Sequence, residues 1–153
     1  MTEQPRRYLA PGVLTQHVFN RTVAVLTRCG ISLMGSRVLT VVGRTSGQPR
    51  STPVNLLTIG EARYLVAPRG ETQWVRNLRA AGNGTLTYGR HAEPFTAVEL
   101  SDAEKPPVLR EYIRKWKWEV GYFLEGLDAD SDDAAIAAAA PGFPAFRIDS
   151  VYD

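Results

Sequence analysis

Residues 36–59 read SRVLTVVGRTSGQPRSTPVNLLTI, two β-rich runs joined by a tight polar turn. Ser36–Gly43 is crowded with β-branched residues, which favour a pleated, half-buried strand. It stops at RTSGQP, whose Ser-Gly and Pro punctuate a connection, and a second strand follows at Arg50–Ile59. Pro53 falls inside that second strand and has no N–H to give a ladder. The strand is therefore expected to lie at an edge or to bulge there, where a ligand can approach the backbone.

Outward from this hairpin, Gly60–Ala62 turns into a third strand, Arg63–Ala67. Thr72–Ala81 reads as a short helix, with Thr72 as N-cap and Gly82 past its end. Strands fit Gly84–Tyr88 and Pro94–Leu100, and a last one, Ala145–Ile148, is placed to close a sheet. Between them residues 101–142 form a helical cover. VLREYIRKWKW has helical spacing behind Pro106 and Pro107, which a helix tolerates at its start. Asp133–Ala140 is a short Ala-rich helix or a mobile cover, reached through the acidic GLDADSDD. About six mostly antiparallel strands with flanking helices describe a single α+β domain over 1–153, built around a small barrel.

Residues 1–30 read as an arm and an amphipathic helix, because Val13, Leu14, His17, Val18, Arg21, Val25 and Leu26 recur at spacings of three and four. With Arg6, Arg7, Arg21 and Arg28 it offers peripheral contact with anionic lipid as an alternative to packing on its own domain. Polar interruptions make it neither a signal peptide nor a span. The lone Cys29 excludes an internal disulfide, no Cys/His spacing fits a metal, and a cytoplasmic setting follows.

Charge narrows the function. The chain has 18 Lys and Arg together, and only Lys105, Lys115 and Lys117 are lysines. Eight of the arginines fall between Arg37 and Arg90, against only Glu61 and Glu71, a local net of 8 − 2 = +6. Arginine suits bidentate capture of phosphate and carboxylate. Residues 91–133 reverse the sign, with eleven acids against five bases, which argues against a nucleic-acid coat and for a local anionic ligand. Gly43–Arg50, GRTSGQPR, reads as an anion clamp or as a hairpin with solvated arginines. The clamp would use backbone N–H groups, Thr45 and Ser46 as donors. It is no P-loop, since GxxxxGK[ST] is missing. In Pro68–Gly82, PRGETQWVRNLRAAG, Arg69 precedes a helix whose N-terminus favours anions. There Trp74, Leu78 and Ala81 share a face with Asn77 beside it, Arg76 and Arg79 point away, and Trp74 serves as core anchor or ligand plate.

Together GRTSGQPRSTPVN and PRGETQWVRNLRAAG resemble the deazaflavin-dependent nitroreductase family over about residues 12–100. The resemblance implies a split β-barrel that binds the 8-hydroxy-5-deazaflavin coenzyme (coenzyme F-420), whose phosphate and oligoglutamate tail are acidic. Carried over, Arg44, Thr45, Ser46, Gly47 and Arg50 hold phosphate and tail. Pro53, Val54 and Asn55 line the ring, Ala67, Pro68, Arg69 and Gly70 approach from the next strand end, and Trp74 and Asn77 match the family's aromatic-amide pair. Several relatives have Lys in place of Thr45 and a longer loop before the Trp.

Such a coenzyme carries the hard chemistry. The resemblance implies hydride transfer to a hydrophobic or electron-poor small molecule: an activated alkene, quinone or nitro compound. Tyr122 and Tyr112 are the candidate proton donors, each also readable as a packing tyrosine. His17 and His91 are read as structural, and Trp116 and Trp118 as a hydrophobic lid. The alternatives are an FMN-dependent split-barrel reductase and a non-catalytic protein holding the coenzyme, a tetrapyrrole or a lipid. Monomer and homodimer stay equally open.

Overall fold

The computed structural model describes residues 35–151, so the proposed N-terminal helix, with His17 and Cys29, lies outside the described residues. Six strands, β1 (Ser36–Val42), β2 (Pro49–Ile59), β3 (Ala62–Val66), β4 (Asn83–Tyr88), β5 (His91–Glu99) and β6 (Ala145–Ser150), close into an antiparallel barrel. Around the barrel the order is β1, β2, β3, β6, β5, β4, so β6 does close the sheet, between β3 and β5. Among the described residues three α-helices flank it: α1 (Gln73–Ala81), α2 (Lys105–Val120) and α3 (Asp133–Ala139).

Alternation along the strands sorts side chains into two cores. Leu39, Val41, Leu56, Leu65, Leu86, Phe95, Phe146 and Ile148 fill the barrel, and α1 adds Val75 and Leu78 to them. On the opposite face of β2 and β3, Leu57 and Val66 pack under α2. That helix buries Val108, Leu109, Tyr112, Ile113, Trp116 and Val120, one stripe of a 3.6-residue period. Adjacent Leu56 and Leu57 thus belong to different cores, which is why this part of β2 is a continuous apolar run rather than an alternating one. Ile136 is the anchor of α3, whose N-terminus is capped by Asp132 Oδ1 accepting from Ala135 N at 2.7 Å, so the Ala-rich stretch is a docked helix.

The two strands of the opening hairpin pair over their whole shared length, Ser36↔Asn55 to Val42↔Pro49. β3 is shorter and pairs with β2 only from Leu56 to Ile59. Among the described residues, 49–55 of β2 therefore have β1 as their sole strand neighbour, and Pro53 sits in this overhang, at an edge as its missing N–H requires. Among the described residues, one end of the barrel thus has a strand edge without a partner beside the β1–β2 turn.

Candidate coenzyme site

The turn between β1 and β2 is closed by its own backbone. Gly43 N donates to Gln48 O at 2.8 Å, Gly47 N to Gly43 O at 2.9 Å, and Gln48 N to Ser46 Oγ at 3.2 Å. Gly47 takes φ +70°, a conformation glycine adopts without strain. The side chain of Asn77, a buried residue on α1, then fastens this turn. Asn77 Oδ1 accepts from Arg44 N at 3.1 Å and from Arg44 Nη1 at 2.8 Å, and Gln73 Oε1 accepts from the same Nη1 at 2.9 Å. The two stretches that stood apart in sequence are joined through one amide oxygen.

This geometry revises the anion clamp. The N–H groups of Gly43, Arg44, Gly47 and Gln48 are spent inside the fold, so those of Thr45 and Ser46 remain to donate, with no partner among the described residues. The charge sum changes too. Arg63 is held bidentately by Glu93, at 2.9 and 2.7 Å, and Arg79 is shared between Glu71 and Glu99. Both are raised above the ordinary arginine value by those carboxylates, and both are structural rather than ligand-directed. Arg37 lies over the Tyr88 ring, 4.6 Å from its centroid. Arg44 spends one guanidinium nitrogen on Asn77 and Gln73, whereas Arg50 is exposed on the β2 overhang with no ion-pair partner among the described residues.

Pro53, Val54 and Asn55 follow Arg50 along the overhang, all half-buried, with Val54 turned to the barrel core. Ala67 is fully buried and donates its N–H to Pro144 O at 2.8 Å, so its side chain packs within the barrel. Pro68 and Arg69 are half-buried, and Gly70, at φ +85°, turns the chain into α1. Thr72 takes the N-cap position, but its hydroxyl makes no cap bond and has no partner among the described residues. Gly82, at φ +72°, ends the helix by donating to Leu78 O at 2.7 Å. Trp74 is half-buried against the barrel core, 6.1 Å from the Phe146 ring, so it anchors α1 and still presents an edge to solvent.

The two tyrosines part company. Tyr122 is 90% exposed, while Tyr112 is buried against Trp116, 5.0 Å between centroids. Burial first, then the nearby Glu119 carboxylate, push the Tyr112 hydroxyl well above its ordinary value, and an Asn55 hydrogen bond partly offsets this. Trp116 is fully buried in the core under α2, which corrects its reading as part of a lid. Trp118 alone of that pair is exposed. Glu119, which the sequence did not single out, is brought by α2 against β2, its Oε2 3.4 Å from Asn55 Nδ2. Only the pairing of α2 with the barrel reveals this. An open cleft of about 430 Å³ lies elsewhere, against Ile59, Pro106, Arg110 and Asp133. Arg110 there is already taken by Ala129 O, Ser131 O and Asp133 Oδ1.

The hairpin turn, overhang and α1 that these contacts bring together match a known family over residues 14–122, that of the F420H(2)-dependent quinone reductases. The chain belongs to this family. It is accordingly an oxidoreductase, and its coenzyme is the reduced 8-hydroxy-5-deazaflavin. No curated protein matches the chain. Among solved structures, an F420-H2 dependent reductase is similar at 17% identity and TM-score 0.53, covering 75% of this chain and 94% of that one. A structure described as a domain-swapped dimer covers 89% of this chain and 99% of that one, at 18% identity and TM-score 0.55. The heme storage protein HutZ from Vibrio cholerae gives 13% identity, TM-score 0.52 and coverage of 78% and 84%. At such identities these three speak for the fold alone. Among the described residues no helix is long and apolar enough to cross a membrane, and no His, Cys, Asp and Glu cluster fits a metal.

Proposed function

We propose that this reductase passes hydride from the reduced deazaflavin to an electron-poor small molecule, an activated alkene, quinone or nitro compound, bound beside the β2 overhang. The observation that carries this reading is the Arg44–Asn77 latch, which makes the β1–β2 turn and α1 one rigid wall. The residues along that wall suit an amphiphilic coenzyme. Arg50 and the N–H groups of Thr45 and Ser46 offer donors to its acidic tail, and Pro53, Val54, Asn55 and the Trp74 edge offer a mostly apolar shelf to its flat ring. When bound, the coenzyme supplies the two-electron chemistry. The chain's own residues bind the tail, hold the ring against the shelf and exclude water from one face.

Anaerobic mixing with reduced coenzyme tests the reading. Enones, quinones and nitroaromatics are offered in turn, and the oxidised absorbance is followed. Return of that absorbance with at least one class is expected. Stoichiometric binding of FMN without binding of the deazaflavin would refute the coenzyme. Tight deazaflavin binding with no acceptor turned over would instead favour a storage role. A homodimer is the assembly we favour, supported by the similar structure described as a domain-swapped dimer.

A further inference from the structure

Against Asn55 of β2 stands an ionisable group that the reading above leaves unused. Glu119 lies in the last turn of α2, half-buried, with the Asn55 amide donating to its carboxylate at 3.4 Å. The same Asn55 side chain partly offsets the upward push of burial on the Tyr112 hydroxyl. Three other glutamates that the fold draws partly out of water all have an arginine: Glu71 and Glu99 share Arg79, and Glu93 takes Arg63. Among the described residues no Lys or Arg pairs with Glu119. Lys115, one turn back, has its ammonium 4.9 Å from the centroid of the Trp116 ring. A single long hydrogen bond does not repay the lost hydration of a carboxylate. Burial accordingly outweighs the Asn55 contact and holds the carboxyl above its ordinary range. A fold retains such a group at a cost in stability where its proton is used.

We propose that Glu119 is the proton donor of the reduction site, presented beside Asn55 to an acceptor whose hydride adduct is an oxygen-stabilised anion, an enone or a quinone. The assignment rests on the reading in which Asn55 lines the ring site. Hydride addition to the electron-poor carbon, or to the quinone, leaves an enolate or phenolate. The Glu119 O–H bond then breaks, and its proton joins that anion. The carboxylate left behind regains a proton from water at the open end of α2, where Tyr122 is almost fully exposed. The two electrons are those of the reduced coenzyme, so charge and atoms balance. The groups acting on the Glu119 carboxyl among the described residues are Asn55 from β2 and Tyr112 on its own helix.

The test uses Glu119→Gln in the full chain, which keeps the size and hydrogen-bonding capacity of the side chain. Coenzyme affinity should be unchanged within about twofold. In single-turnover mixing with an enone, wild-type product formation should fall as pH rises through the Glu119 value. The variant should be pH-independent and about a hundredfold slower on the acid side. A second readout needs no coenzyme. A carboxyl raised by folding lends full stability below its unfolded value and loses it as pH rises through its folded value. E119Q should therefore gain in Tm relative to wild type between pH 4 and pH 8. An unaltered pH profile with intact affinity overturns the donor role alone, and a Tm difference that does not vary with pH overturns its premise. The Asn55 side-chain amide resonance should move when oxidised coenzyme is added. An unmoved resonance in a protein that binds coenzyme overturns both this role and the ring site it depends on.

Discussion

At the scale of single residues, Asn77 and Arg50 divide the proposed site into a part that builds and a part offered to the coenzyme. Asn77 Oδ1 satisfies the Arg44 backbone and guanidinium together. Asn77→Ala leaves both donors without that acceptor and should cost about 1.5–3 kcal/mol of stability in urea unfolding, with coenzyme affinity falling as the turn loosens. The Arg50 guanidinium makes no hydrogen bond or ion pair among the described residues. Arg50→Ala should leave the urea midpoint unchanged and weaken coenzyme binding by roughly 1.5–3 kcal/mol in a fluorescence titration, the value of a charge-assisted contact. The residue types at this site were legible in the sequence, because Gly, Ser, Arg and Pro in one turn have few structural uses. Their division of labour was not. Whether an arginine faces a ligand or a glutamate depends on partners such as Glu93 and Glu99, which lie outside the local window that gave the charge sum.

Among elements, the strands declared themselves most clearly. The β-branched runs, the Pro53 edge and the Thr72 and Gly82 boundaries of α1 all stand close to where local chemistry puts them. β5 was cut short at its start, since His91–Glu93 carry no β signal of their own and are strand because β4 pairs with them from Tyr88↔His91 onward. The seat of α2 was illegible for a related reason. Its stripe announces a buried face but not which strands lie beneath it, so Trp116 reads as a lid and Glu119 attracts no notice. Gly84 on β4 shows how tightly the elements meet. A Cβ there would stand 2.9 Å from Phe95 Cζ and 2.9 Å from Thr40 O. Gly84→Ala should destabilise the barrel by about 1–3 kcal/mol in chemical denaturation.

Over the whole molecule, ion pairs tie together strands that are not neighbours in the chain. Arg63 on β3 reaches Glu93 on β5 across β6, and its hydrogen bonds hold the Glu93 carboxyl below its ordinary value. A depressed carboxyl stabilises the fold above its unfolded value and loses that contribution as pH falls through its folded value. Glu93→Gln should therefore lower Tm at pH 7, by an amount that shrinks in thermal melts below about pH 4. The placing of β6 also governs how the chain reaches this state. Val66 must wait for Ala145 as its pairing partner, so during synthesis the β1–β2–β3 and β4–β5 portions emerge with facing edges bare until the sixth strand leaves the ribosome. Such long-range closure is slow and exposes the nascent chain to mispairing, which makes the interval before Ala145 emerges the point at which a chaperone would matter most.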